Sequence, residues 1–240
     1  MILATYNIKG GVGKTSAAVN LATLAAREAP TLIWDLDPQG AATYLFRVRP
    51  KVKGGGRKLV RGKTDAERLL KGTDQEGLDL LPADFSYRHM DLALSDAKKP
   101  TSRLRSVLAP LTGEYAYTFL DCPPSISLVS ESVFEAADAL LVPIIPATLS
   151  SRTLEQLHAV LAGETPVLGF FSMADRRKKL HRELMDSLRA EHDLLETVIP
   201  TSAEVERMGA HRAPLHDFAP RSRAARAYAD LWEEVRARVT

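Results

Sequence analysis

The stretch YNIKGGVGKTSAAVNL, residues 6–21, decides the fold. It sets three glycines and two lysines between an apolar run, ILATY (2–6), and an alanine-rich segment of helical character. A strand, a glycine loop and a helix in that order form the context that a phosphate-binding loop requires. Gly10, Gly11 and Gly13 let the backbone turn so that successive N–H groups face inward, and the helix N-terminus adds the positive end of its dipole. Together they make an anion cradle. In such a cradle Lys14 reaches the β- and γ-phosphates of a nucleotide, and the Thr15 hydroxyl coordinates Mg2+. The loop departs from the general pattern G-x-x-x-x-G-K-[ST], because Ile8 stands where the first glycine belongs. It fails the dinucleotide pattern G-x-G-x-x-G as well, since Ser16 follows where a third glycine is needed.

Beyond the loop, short apolar runs recur: TLIWD (31–35), LDLLPA (78–83), YTFLDC (117–122), ALLVPII (139–145), VLGFFSM (167–173) and LETVIP (195–200). Such runs read as parallel strands buried on both faces. Residues 14–28, 131–137, 151–162, 176–190 and 222–238 read as helices, with Pro and Gly punctuating the joins. The alternation predicts an α/β fold, a doubly wound and mostly parallel sheet flanked by helices, in one domain spanning residues 1–240. Ligands of such a sheet bind beyond the carboxyl ends of its strands. The last helix places Tyr228, Leu231, Trp232, Val235 and Val239 on one stripe. Its opposite face mixes Arg, Glu and Asp, so the stripe is expected to dock on the protein's own sheet instead of a membrane.

With 240 residues, 45% of them hydrophobic, the chain can bury one substantial core. No apolar stretch reaches the length of a membrane span and no signal-peptide pattern opens the chain, which points to a soluble, cytoplasmic protein. Cys122 is the one cysteine, which excludes an internal disulfide and a thiolate metal cluster, and the six histidines show no ligand spacing. Net charge is only +2, yet it is unevenly placed. Residues 47–71 carry ten Arg or Lys against Asp65 and Glu67, and RRKKLHR (176–182) adds a second basic run. Either run is a candidate for an anionic partner or a solvated face. The low-complexity patch KVKGGGRK (51–58) predicts a mobile, basic, Gly-rich surface loop around residues 47–63.

Three motifs stand in order along the chain: KGGVGKT with Lys9 opening the glycines, WDLDPQGAAT (34–43) and LDCPPS (120–125). On these the chain resembles the ParA/MinD family of dimerising P-loop ATPases with a deviant Walker A loop, and within it the small ParA-type partition and positioning proteins. The resemblance covers nearly the whole chain and is weakest over residues 47–77. It implies ATP and Mg2+ as cofactors and slow, partner-stimulated hydrolysis to ADP and phosphate. Carried over residue by residue, it implies that Lys9, Gly10, Gly11, Val12, Gly13, Lys14, Thr15 and Ser16 hold the triphosphate, with Lys9 acting on the nucleotide of a second subunit. Thr15, Asp35 and Asp121 would hold the metal, Asp37 would position the attacking water, and Met173 and Pro200 would lie near the base. Period-2 alternation does put Asp35 and Asp37 on one side of an extended backbone, although both could equally cap the turns before Pro38 and Gly40. Ser16 and Ala41 depart from the family pattern, where threonine and asparagine are usual.

For the partner, the same resemblance implies an ATP-bound homodimer that binds nonspecific DNA, a nucleoid-associated location and a cargo-side stimulating protein. Arg177 falls where the family carries a DNA-contacting arginine, and Lys178, Lys179 and Arg182 extend the basic run within about one helical turn. No aromatic residue interleaves them, so contact to phosphates is expected instead of base stacking. Glu204 stands where another arginine is common, which weakens the transfer. The chain ends at Thr240 without a basic amphipathic tail, so direct membrane binding is not expected. Two alternatives stay open: an ATP-gated or MinD-like positioning switch that works without DNA, and a metabolic ATP-dependent ligase.

Overall fold

The computed structural model describes residues 1–161 and 165–239. In chain order its elements are β1 (Ile2–Thr5), α1 (Lys14–Ala26), β2 (Thr31–Asp35), α2 (Ala41–Leu45), α3 (Gly55–Val60), β3 (Lys71–Gly72), β4 (Leu78–Leu81), α4 (Met90–Ser95), α5 (Arg103–Leu108), β5 (Tyr117–Asp121) and α6 (Leu128–Ala136), followed by β6 (Ala139–Ile144), α7 (Ser150–Val160), β7 (Val167–Ala174), α8 (Lys179–Glu191), β8 (Leu194–Pro200), α9 (Ala203–His211), α10 (Leu215–Phe218) and α11 (Arg223–Val239). The eight strands form one sheet in the order β3-β4-β2-β5-β1-β6-β7-β8. Every pairing is parallel except the two-residue edge pair β3–β4.

The apolar runs become strands because both faces of the sheet are covered. One layer buries Trp34, Leu120, Leu140 and Phe171 beneath α3 to α8, and the other buries Leu3, Ile33, Phe119 and Phe170 beneath α1 and α11. The stripe on α11 docks as its spacing predicts. Tyr228, Leu231, Trp232 and Val235 are buried against that second face, and Trp232 meets Tyr117 edge-on at 5.0 Å while its Nε1 donates to Glu28 at 2.9 Å.

Two predicted features differ. Residues 47–63 are not a loop throughout: Gly54, in the left-handed region at φ 90°, turns the chain into α3, and Val52, Leu59 and Val60 are buried. Those three apolar side chains anchor the segment in the core while Lys51, Lys53, Arg57 and Lys58 remain on the surface. The helix expected over 176–190 starts only at Lys179, since residues 176–178 form a turn. Of the helix expected over 151–162, Ser150–Val160 is seen; Ala162, like Thr240, lies outside the described residues.

Candidate nucleotide site and basic groove

β1 lies between β5 and β6, where the chain crosses from one half of the sheet to the other, and the glycine loop leaves its carboxyl end. This is the switch point at which open parallel sheets bind ligands. Gly11 and Gly13 both have positive φ, at 71° and 97°. A Cβ on Gly13 would stand 2.9 Å from the Ser172 hydroxyl, so glycine is required there by both conformation and space. Asn7 holds the loop's first strand-side turn: its Oδ1 accepts the Lys9 N–H at 2.9 Å and its Nδ2 donates to the Pro143 carbonyl at 2.9 Å. Lys14 is buried at the start of α1, with its Nζ donating across the loop to the Lys9 carbonyl at 3.1 Å. Burial pulls the Lys14 pKa down, opposed by the nearby Asp121 and Asp37 carboxylates. The Lys9 side chain stands in solvent.

Strand register brings the two buried acids together. Asp121 on β5 pairs with Asp35 on β2 on one side and with Thr5 on β1 on the other. Asp35 is fully buried and its oxygens are engaged: Oδ2 accepts the Thr43 amide and hydroxyl, each at 2.7 Å, and Oδ1 accepts the Asp37 amide at 3.2 Å. Asp121 accepts a long 3.4 Å contact from the Thr5 hydroxyl on Oδ1, and its buried Oδ2 has no hydrogen-bond partner. Desolvation raises the pKa of both acids, and their mutual repulsion adds to it for Asp121. Asp37 is half-buried, accepts the Gln39 amide at 2.9 Å, and lies close enough to bear electrostatically on Lys14 and Asp121.

The loop, Lys14, Asp35, Asp37 and Asp121 therefore share one site. An orphaned carboxylate oxygen in a buried pair of acids is the chemistry a divalent cation relieves, so these residues fit Mg2+. Among the described residues no group of three or more His, Cys, Asp or Glu could cage a metal alone, which suits an ion held mostly by phosphates, water and the Thr15 hydroxyl. Thr43 and Asn7, which orient Asp35 and the loop, escaped the sequence reading; Thr43 closes the WDLDPQGAAT stretch, but nothing in its spacing marks a hydrogen bond back to the strand.

Met173 and Pro200 end neighbouring strands beside the loop, with the Met173 Cε 3.9 Å from the Cβ position of Gly13. Met173 has φ 54°, a left-handed conformation uncommon outside glycine, and Thr201 Oγ1 donates to its carbonyl at 2.7 Å. Strain of this kind collects at functional sites.

A groove of about 890 Å3 lies beyond these strand ends and meets the N-terminal part of α11. Arg176, Arg177, Arg223 and Arg226 line it, with Asp175, Glu196 and Asp230 between them. Arg177 is exposed but forms a two-pronged pair with Asp175 at 3.0 Å, which holds that carboxyl down at about 2. Lys178, Lys179 and Arg182 are outside the groove lining. Lys179 pairs with Glu183 at 3.4 Å, and Arg182 folds back onto the carbonyls of Arg176 and Arg177. Lys179 and Arg182 stand one turn apart on α8 with Lys178 at its start, and the arginines of α11 line the groove together with Arg177. Their spacing, Arg223 and Arg226 at i, i+3 in SRAARAY, was present in the sequence without a sign that it would meet residue 177.

A family model described as an AAA domain matches residues 1–163. The chromosome partitioning protein ParA of Caulobacter vibrioides is 31% identical over 248 residues, covering 98% of this chain and 93% of the relative. The sporulation initiation inhibitor protein Soj of Bacillus subtilis is 30% identical over 250 residues, covering 98% of each. Among solved structures, apo McdA of Cyanothece superposes with a TM-score of 0.85 at 19% identity, over 98% of each chain. Cobyrinic acid a,c-diamide synthase of Mycobacterium smegmatis with bound ATP analog and magnesium gives 0.81 at 25% identity, over 98% of this chain and 93% of that one. Motif order, the glycine loop at the switch point and near full-length relatives agree: the chain belongs to the ParA/MinD family of P-loop ATPases.

Proposed function

We propose that this ATPase is a positioning switch: bound to Mg-ATP it dimerises and holds duplex DNA without sequence preference, and hydrolysis releases it. The arginine groove carries this reading, because it puts four arginines at the ends of β7 and β8, the strands whose Met173 and Pro200 stand beside the glycine loop. Partition and chromosome-partitioning proteins among its relatives support the cargo-positioning role.

In this reading the loop amides, Val12, Thr15 and Ser16 grip the triphosphate, and Lys14 exchanges its contact with the Lys9 carbonyl for phosphate oxygens. Mg2+, bound to the nucleotide, would supply charge neutralisation, with Thr15 and Asp121 beside it and Asp35 fixed behind by Thr43. Asp37, half-buried at the loop beyond β2, orients water for attack, and the exposed Lys9 ammonium reaches the nucleotide of the second subunit. The test is retention of labelled duplex DNA with ATP, ADP and no nucleotide. The reading expects retention with ATP alone; retention that ignores nucleotide would contradict it. The diamide synthase neighbour favours a second reading, ATP-dependent activation of a small acid. Product analysis separates the two, since a ligase couples ATP breakdown to an added substrate whereas a switch releases phosphate without one.

A further inference from the structure

Arg57 and Arg61 of the basic run over residues 47–71 border a surface that the nucleotide site and the groove leave unused. Residues Phe85–His89 form a 3-10 turn that runs directly into α4, and Tyr87, Met90, Ala93 and Leu94 of this segment are buried. Its outward side is unusual. Phe85 is 62% exposed and Leu92 68% exposed, among the largest apolar exposures on the molecule. In a 3-10 turn residues i and i+3 eclipse, and in the following α-turn i and i+4 share a face, so Phe85, Arg88, Leu92 and Asp96 form one stripe. The Arg88 guanidinium lies over the Phe85 ring, 3.8 Å from its centroid.

Cations gather at the Asp96 end of this stripe. From α3, Arg57 and Arg61 reach Asp96, the first at 3.8 Å. Beyond the C-terminal end of α4 a cavity of about 500 Å3 is lined by Arg61, Lys98, Lys99, Ser102, Arg103 and Ser106. Arg103 is held there by its Nε–H donating to the Val60 carbonyl at 2.7 Å, while Lys98 and Lys99 pair with no carboxylate among the described residues. Asp96 is thus outnumbered, and a cationic rim borders its end of the stripe that carries the exposed Phe85 and Leu92.

We propose that this stripe docks an acidic, amphipathic segment of a partner protein, its apolar side chains meeting Phe85 and Leu92 and its carboxylates meeting Arg57, Arg61, Lys98 and Lys99. Charge complementarity selects this occupant. A second copy of the chain, placed symmetrically, would set this cationic rim against itself. Duplex DNA would satisfy the cations but would leave Phe85 and Leu92 with nothing apolar to bury against. The stripe also lies several strands away from the arginine groove, since β4 and β7 are separated by β2, β5, β1 and β6. At under 5 Å per strand that is roughly 24 Å. The inference does not depend on DNA binding.

The probe is a fluorescent helical peptide of Glu, Ala and Leu with leucines at i, i+3, i+4 and i+7, titrated by anisotropy against the full chain in low and high salt. Binding that weakens with salt, and that falls about tenfold both in Leu92→Ser and in the double variant Lys98→Glu/Lys99→Glu, is the expected result. If Leu92→Ser fails to fold, the exposed lysine pair decides alone. The proposal is overturned if the wild-type chain does not bind the peptide or binds it equally in both variants. It is also overturned if the variants lose DNA retention or self-association while peptide binding is unchanged.

Discussion

Gly13 shows how much one residue can carry at the nucleotide site. Its φ of 97° and the 2.9 Å approach of Ser172 leave no room for a methyl group. Gly13→Ala should therefore abolish ATP binding, measured by calorimetry, even where the protein stays folded. Asp35 makes a pH-dependent case. Desolvation lifts its pKa to about 6 in the native protein, above the ordinary carboxylate value. The fold then binds a proton more tightly than the unfolded chain does, so the related stability is present at low pH and is lost as pH rises through about 6. In metal-free buffer Asp35→Asn, which can still accept from Thr43, should raise Tm at pH 7.5 and lose that advantage by pH 4. An advantage that does not change with pH would contradict the assignment. Asp175 acts oppositely: paired with Arg177 it stays ionised at all working pH values, so only substitution frees the arginine. Asp175→Asn should tighten DNA retention in the ATP state.

At the scale of elements, helix α11 joins stability to the groove. Its inner face buries Trp232 against Tyr117 and Phe119, and its first turns present Arg223 and Arg226. Trp232→Ala should cost about 3–5 kcal/mol in chemical denaturation. Arg226→Ala should leave stability unchanged while it lowers the salt slope of DNA binding by about 0.9 if the side chain neutralises one phosphate. The inner face was legible in the sequence because i, i+3, i+4 spacing of large apolar residues has one outcome in a helix beside a sheet. The groove was not, because it depends on α11 returning to the end of β7, a contact between residues some fifty positions apart. Parallel strands were legible for the same reason as α11, each being a short run with both faces apolar. The short helices α2, α3, α4, α5, α9 and α10 were missed, since pieces of four to nine residues carry too few turns for a period to show. At 54–60, three glycines argue against helix, and burial of Leu59 and Val60 outweighs them.

The whole molecule arranges these parts at the carboxyl ends of the parallel strands. Asp35 and Asp121 were recognisable from motif and spacing, but their adjacency follows from strand order, which places β5 between β2 and β1. Lys9 is exposed on the loop whereas Lys14 is buried with its Nζ on the Lys9 carbonyl. In the proposed dimer the nucleotide of a second copy would be the target of Lys9. Lys9→Ala should accordingly bind ATP with little change and fail to dimerise, as read by light scattering. The most direct measurement is sedimentation velocity on Asp37→Ala, which the proposed role of Asp37 expects to block turnover, with saturating Mg-ATP and separately with Mg-ADP. The account predicts a species of twice the monomer mass with ATP and the monomer with ADP; a monomer in both would contradict it.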